Sequence, residues 1–339
     1  MNSTLKDLEK VTGVSKSTIS RVFNYPERVK KSTLKLVKQK AEEIGYVPSR
    51  VAQRLQAGQG KSKMIGLIIP DIMNPFFAEI TLGIEDVAME NGYALILNNS
   101  NESEERQKQC LKTLLMERVD GIILPPVNEN DEYVKEIVGN GFNVICVDRN
   151  MRNTLVNSVL SDNVKGAHMA VSHLIKLGHT RIAYIGGISS ISTTQERMRG
   201  YKQAIQDAGI EFHEDLNKMG DSKQGSGERL THELLDMKNP PTAIFSGNNM
   251  TTMGIYAACN EAGVKIPEDL ALVGYDDMPW ASALTPPPTV VDQSAFEMGQ
   301  RAAELLLSKI QNPEASPITM KVTPELIIRK SCGQHLLEN

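Results

Sequence analysis

The chain has 339 residues, 40% of them apolar and 23% charged. That is the composition of an ordinary globular protein with about two domains, and it argues against disorder. Its longest apolar runs, such as residues 64–70, fall far short of the ~20 residues a membrane span needs. The opening Met-Asn-Ser-Thr-Leu-Lys has no apolar signal core, which points to a cytoplasmic protein. The net charge of −4 hides a division: residues 1–60 carry +7 and the remainder −11. A small basic head suited to a polyanion precedes a large acidic body. Cys110, Cys146, Cys259 and Cys332 are far apart, with no clustered histidine. They read as reduced thiols, neither a zinc site nor a disulfide frame, and no cofactor or metal is implied.

In the head, Thr4 is placed to cap a helix over residues 5–11, with Asp7 in its first turn and Leu5, Leu8 and Val11 at helical spacing. Gly13-Val14 makes a tight turn. Ser15 is placed to cap a second helix over residues 16–22, with Ile19 and Val22 facing inward. A third helix runs over residues 32–44, with Leu34, Leu36, Val37, Ala41 and Ile44 apolar, and Gly45 ends it. Two short helices across a glycine turn, braced by a third, make a helix-turn-helix unit. Lys16, Ser17, Thr18 and Arg21 form the polar face of the second helix, able to donate to base edges or phosphates in a major groove. The same pattern also describes a small helical bundle with a wet face. Pro48-Ser49 starts a short helix over residues 50–56 that carries Arg50, Arg54 and the apolar Leu55, and Gly58-Gln-Gly-Lys-Ser-Lys63 is a flexible linker. So short a helix is marginal alone and needs a partner copy and a DNA minor groove to order it. An apolar wedge beside arginine is the composition of a minor-groove intercalator.

The runs Thr4-Leu-Lys-Asp-Leu8, Gly13-Val-Ser-Lys-Ser-Thr-Ile-Ser-Arg-Val-Phe-Asn24 and Gly45-Tyr-Val-Pro-Ser-Arg-Val-Ala-Gln-Arg-Leu55 resemble the lactose-repressor (LacI/GalR) family of bacterial transcription regulators. The resemblance implies that the second helix reads the major groove and that Leu55 wedges into the centre of a palindromic operator. It places DNA contacts at Thr4, Ser15, Lys16, Ser17, Thr18, Arg21, Asn24, Arg50, Ala52, Arg54 and Leu55. Glu9 and Thr12 depart from it, standing where the family usually has alanine at a crowded helix–helix contact. Glu9 must therefore swing outward or be paired.

From residue 63 onward, strands alternate with helices. Apolar runs at 64–70, 94–98, 121–124 and 144–147 each precede a polar loop, and a fifth strand leads into Ser161-Asp-Asn163. The pattern repeats at 181–186, 243–245 and 271–274, with helical segments at 77–91, 168–177, 200–208 and 252–262. Such alternation implies parallel sheets covered on both faces. Two halves give two doubly wound lobes, whose ligands bind beyond the carboxyl ends of the strands. Polar and aromatic residues stand at those ends: Asp71 and Asn74-Pro-Phe-Phe77, Asp148-Arg149, Glu196-Arg197, Asn248, Asp276, and Gln293 after Val290-Val291. The set suits a sugar, with rings for its C–H face and carboxylate, guanidinium and amide groups for adjacent hydroxyls. Singly, each has a plainer reading: Phe76 as core, Asp148-Arg149 as a surface ion pair, Asn248 as a helix cap.

The body also resembles the periplasmic sugar-binding proteins, the ribose-binding protein in particular. The matching motifs are Asn74-Pro-Phe-Phe77, Val147-Asp-Arg149, Ser161-Asp-Asn163, Glu196-Arg-Met-Arg-Gly-Tyr201, Val273-Gly-Tyr-Asp276, and Gln293 followed by Gly299. With the head, the resemblance covers about residues 4–331. It implies effector contacts at Asn74, Phe76, Phe77, Asp148, Arg149, Arg197, Asn248, Asp276 and Gln293. At Asn248-Asn249 the family often has Asn-Asp, so a carboxylate is lost at the pocket rim or the dimer face. Asp148 and Asp276 favour a neutral polyol, whereas Arg149 and Arg197 in one cleft would clamp a sugar acid. The lone Trp280 either closes over the ligand or lies on the lobe surface.

Enzyme motifs fail on inspection. Gly60-Lys61-Ser62 resembles the end of a phosphate-binding loop, but Leu55 stands where its first glycine belongs. Gln224 likewise spoils a nucleophile elbow at Gly225-Ser-Gly227, and no HExxH occurs. A transport-binding protein would not begin with such a head. The expected architecture is an all-α helix-turn-helix head (1–48), a hinge helix and linker (49–62), and an α/β two-lobed periplasmic-binding-protein-like body (63–333) with two doubly wound parallel sheets. Lobe 1 takes about 63–160 and 293–323, lobe 2 about 161–292 and 324–333. The expected function is that of a homodimeric repressor of carbohydrate genes, with a palindromic operator and a monosaccharide or sugar-acid effector. A phosphocarrier protein or a purine is the alternative coeffector. Dimerisation is placed near Ile80 and Ile84 and at residues 250–255, and the segment after Ser331 carries no leucine heptad for a tetramer.

Overall fold

The computed structural model describes residues 3–47 and 62–337, and the chain divides into two units, Met1–Ser62 and Lys63–Asn339. In the first, Thr4 and Asp7 form a reciprocal capping box: the Thr4 N–H donates to the Asp7 carboxylate at 2.8 Å and the Asp7 N–H to the Thr4 hydroxyl at 3.3 Å. This starts α1 (Leu5–Thr12), which ends at Gly13 with φ +67°. Helices α2 (Lys16–Asn24) and α3 (Lys31–Glu43) follow. Leu8, Ile19, Val22, Val37 and Ala41 form the core they share. Two residues expected inside are not: Val11 is 45% and Leu36 41% exposed. Leu36 lies off the 34–37–41–44 stripe that faces the other helices.

Ser15 stands at the N-cap of α2, yet its hydroxyl caps nothing and instead bonds the Ser17 and Thr18 hydroxyls. Glu9 supplies the cap. Its carboxylate accepts the Lys16 N–H at 3.2 Å and lies 3.8 Å from the Lys16 ammonium. The departure from alanine is thus resolved by pairing, with an acid at the positive end of a helix.

The second unit holds two six-stranded sheets. The first is built from β1 (Met64–Ile69), α4 (Pro75–Glu90), β2 (Ala94–Asn99), α5 (Glu104–Met116), β3 (Gly121–Leu124), α6 (Glu132–Gly139), β4 (Val144–Val147) and β5 (Asn157–Ser161). The second follows with α7 (Asn163–Lys176), β6 (Ile182–Gly186), α8 (Ser192–Asp207), β7 (Asn217–Met219), α9 (Gln224–Leu235), β8 (Ala243–Ser246), α10 (Asn249–Ala262), β9 (Ala271–Tyr275) and β10 (Thr289–Asp292). The chain then returns through α11 (Ala295–Gln311) and β11 (Thr319–Val322) to the first sheet. It closes with β12 (Glu325–Ile327) on the second sheet and a short α12 (Gln334–Leu337).

The strand orders are β2-β1-β3-β4-β5-β11 and β7-β6-β8-β9-β10-β12, the doubly wound pattern with its switch point beside the first strand of each sheet. All pairings are parallel except that of β12, which runs antiparallel to β10. Alternate residues feed opposite faces of each sheet. Ile65, Leu67 and Ile69 pack with α4 and α11, whereas Met64 and Ile68 pack with α5 and α6.

Helices α4 and α11 meet backbone to backbone: a Cβ added at Gly83 would sit 2.1 Å from the Phe296 carbonyl oxygen, and one at Gly299 2.2 Å from that of Ile80. This contact buries Ile80 and Ile84 completely. They are core residues and offer nothing to a dimer, contrary to the expectation from sequence. On α4 the large apolar side chains left exposed are Leu82 and Met89. Among the described residues, no helix is long and apolar enough to cross a membrane.

The Glu9 cap makes a direct prediction. Glu9→Ala should lower the protection of the α2 amides by about 1 kcal/mol, the usual worth of an N-cap side chain. Hydrogen exchange on the full chain should show α2 exchanging several-fold faster, with the body strands unchanged.

Candidate functional site

The fourth strand of each lobe ends in an aspartate. Asp148 follows β4 and Asp276 follows β9, and both take left-handed backbone, with φ +66° and +68°. Aspartate and asparagine tolerate that conformation better than most side-chain-bearing residues. Each turn is tied to the next strand, the Asp148 N–H donating to the Val159 carbonyl and the Asp276 N–H to that of Val291. One turn used twice thus brings two carboxylates to the carboxyl ends of the two sheets, both buried.

Arg197, in the second turn of α8, accompanies them. Its guanidinium covers the Tyr275 ring at 3.8 Å and stands 3.9 Å from the Asp276 carboxylate. Nε donates to Asn163 Oδ1 at 2.9 Å and Nη1 to the Gly247 carbonyl at 2.6 Å. Gln293 donates to Asp276 Oδ1 at 2.5 Å. Burial pushes the Asp276 carboxyl up to about 6, against the pull of Arg197 and Gln293. It raises that of Asp148 as well, against Arg149 and Arg197.

Asn74 caps α4 by accepting the Phe76 N–H at 3.0 Å. Phe76 and Phe77 pack edge to face, centroids 5.1 Å apart, on the first lobe's wall. Asn248 caps α10, accepting the Thr251 N–H at 2.7 Å, and donates to the Ser222 carbonyl at 2.9 Å. The helix-cap and core readings of these residues therefore hold alongside their place on the cleft wall. Arg149 is already engaged: both its terminal nitrogens donate to the Glu102 carboxylate, at 2.9 and 2.7 Å. Asn249 is fully buried and donates to Asn74 Oδ1 at 3.0 Å, from one lobe to the other. An ionised aspartate has no proton to donate there, so the departure from Asn-Asp creates a bond across the cleft.

Of the nine residues expected from sequence, Asn74, Phe76, Phe77, Asp148, Arg149, Arg197, Asn248 and Asp276 line one space. Gln293 lies behind Asp276 instead. The space is about 50 Å³, room for a few waters at ~10–15 Å³ each. Its charged walls are Asp71, Glu102, Asp148, Asp221 and Asp276 against Arg149, Arg197 and Lys223, an acidic excess. Sequence reasoning missed Glu102, Thr193, Thr194, Ser222 and the bridging role of Asn249. Glu102 lies in a polar turn with no local signal. Asn163 and Asn249 begin helices right after strands, the one signal that would have found them. Trp280 is 46% exposed and lies away from this space. Among the described residues, Glu228, His232 and Glu261 form the one cluster with metal-ligand spacing, on α9 and α10 and outside the cleft lining.

On the first unit, Ser15, Lys16, Ser17 and Arg21 are exposed along α2, and Thr18 is half-buried. Thr4 is exposed, with its hydroxyl used in the capping box. Asn24 ends α2. Arg50, Ala52, Arg54 and Leu55 lie outside the described residues.

Residues 4–49 match the model of the bacterial regulatory proteins of the lacI family, and residues 62–330 that of the periplasmic binding proteins and sugar-binding domain of the LacI family. The chain is 32% identical to the ribose operon repressor of Escherichia coli (strain K12), over 97% of this chain and 99% of that one. It is 30% identical to the HTH-type transcriptional repressor PurR of Photobacterium profundum, over 97% and 98%. Among solved structures it superimposes on the lac repressor dimer bound to operator and the anti-inducer ONPF with a TM-score of 0.85, at 27% identity over 98% of this chain and 99% of that one.

Two outcomes are expected of the cleft. Asn249→Asp should remove the cross-lobe bond and set a carboxylate against the Asn74 carbonyl oxygen. Small-angle scattering should then show a larger radius of gyration, and an unchanged radius would count against the bond's role. Separately, a raised Asp276 pKa means the folded state keeps a proton that the unfolded state releases. Its contribution to stability falls as pH rises from about 3.8 to about 6 and is flat above. Asp276→Asn should therefore gain stability over the parent more at pH 7 than at pH 5, read from urea midpoints.

Proposed function

Because the chain belongs to the LacI family of bacterial regulatory proteins, we propose that it is a homodimeric transcriptional repressor with a neutral sugar as effector. Each head reads one half of an inverted-repeat operator. The exposed α2 residues Lys16, Ser17 and Arg21, with the half-buried Thr18, meet base edges and phosphates, and Leu55 with its flanking arginines serves the minor groove. The operator places the protein where the chromosome is, in the cytoplasm.

The observation that carries the effector reading is the state of the charges in the cleft. Asp148 and Asp276 offer acceptors to vicinal hydroxyls. Arg149 is neutralised by Glu102 and Arg197 is held beside Asp276, so neither is spare for an effector carboxylate. The acidic excess of the walls also favours an uncharged ligand. Phe76 and Phe77 cover a C–H face from one side. The second lobe's wall carries Thr193, Thr194 and Ser222 and, among the described residues, no ring, which favours a sugar over a planar base stacked on both faces. The named relatives are repressors, which supports binding rather than turnover in this cleft. Leu82 and Met89 on α4 are the apolar side chains available to a second copy there. Sugar entry parts the lobes, breaks the Asn249–Asn74 bond, and recloses them in a different relation, which shifts the population competent for operator.

Operator selection from random DNA, followed by fluorescence anisotropy and thermal shift, tests this. Arg21→Ala should abolish specific operator binding and keep the sugar shift. Asp148→Asn should do the reverse, and Leu55→Ala should weaken operator far more than sugar. A sugar at about 100 times its Kd should add about 2.7 kcal/mol of stability. No shift with any neutral sugar at millimolar concentration would sink the sugar reading and turn attention to a protein coeffector.

A further inference from the structure

The inner cleft is small for the ligand proposed, and a second space adjoins it. A cavity of about 310 Å³ lies between the 126–130 loop of the first lobe and residues 190–195 of the second. Arg149 and Ile191 line both spaces. The outer cavity alone reaches the ~300–1,000 Å³ of a small-molecule site.

Its chemistry suits an uncharged hydroxylated group. Arg149 is neutralised by Glu102, and Arg152 by Glu129 at 2.7 Å. Glu104 adds a further negative charge. Among the described lining residues, no cation is left over for a phosphate or carboxylate. The other oxygen of Glu129, Oε1, is buried and accepts no hydrogen bond. Such an acceptor is costly to leave unmet and strong when a hydroxyl meets it. Ile191, Val127 and Pro126 give an apolar surface for a C–H face, and no aromatic side chain lines the cavity.

We propose that the effector is a disaccharide. One unit lies against Asp148, Asp276 and Arg197. The second occupies the outer cavity, donating a hydroxyl to Glu129 Oε1 and laying its C–H face on Ile191. The inference rests on the sugar reading above and extends it by a second subsite.

Titration calorimetry on the full chain tests it, with glucose, galactose and ribose against cellobiose, lactose and maltose. At least one disaccharide should bind about ten-fold tighter than its component monosaccharides, the effect of one good hydrogen bond to a charged group. Glu129→Leu should weaken that disaccharide by about the same factor and its monosaccharides less than about two-fold. Ile191→Ala should show the same split, and the ligand-free melting temperature checks that each variant is folded. A monosaccharide that binds as tightly as every disaccharide overturns the second subsite and leaves the sugar reading standing, and so does an equal loss for both classes in Glu129→Leu. Failure of all six sugars overturns the sugar reading and this inference with it.

Discussion

Two carboxylates of like charge, buried in one cleft, can stay ionised only where a cation and hydrogen-bond donors stand beside them. Arg149 stands 3.5 Å from the Asp148 carboxylate and Arg197 3.9 Å from that of Asp276, and much of the second lobe is arranged to hold Arg197. Asn163 at the start of α7 accepts a hydrogen bond from its Nε, the Gly247 carbonyl after β8 accepts one from its Nη1, and the Tyr275 ring lies under its plane. Gln293 supplies the remaining donor to Asp276 from the turn after β10. The strand ends and helix starts of one lobe converge on a single guanidinium. The cost of burying Asp276 is thereby spread over several groups.

The two lobes reach this site by the same local device, a left-handed aspartate after the fourth strand with its N–H fastened to the fifth. Backbone strain of this kind persists where surrounding structure holds it, and it gathers at functional sites. The cross-lobe Asn249–Asn74 bond closes the remaining gap without a ligand. On the reading proposed above, a sugar would replace a bond the protein already makes.

Two of the departures from the family pattern are charge changes in opposite directions. Glu9 adds a carboxylate to the head and Asn249 removes one from the cleft. Each is accommodated by a specific hydrogen bond, to the Lys16 N–H in one case and the Asn74 carbonyl in the other. Glu9 thereby stabilises the start of the very helix whose first cation it neutralises.

Apolar periodicity, with cap residues and glycines in the head, located the three head helices, the first four strands of the body and half of its second-lobe strands, because side chains that face a core repeat with the period of their element. It also set the cleft residues at strand ends, where doubly wound sheets bind ligands. It placed the starts of α7, α8 and α10 several residues late, since their first turns face the cleft and are polar, with no apolar period to read. The Arg149–Glu102 pair joins residues 47 apart in sequence, and no local pattern encodes it. Ile80 and Ile84, expected near a dimer surface, are closed over by the glycine contact between α4 and α11, and β12 joins β10 antiparallel after the chain crosses over from β11 in the first sheet. Which face of an element points inward is a local property, carried by the sequence. Which charged groups meet, and which apolar stripes find cover, depends on how distant segments pack, and only the tertiary structure decided that.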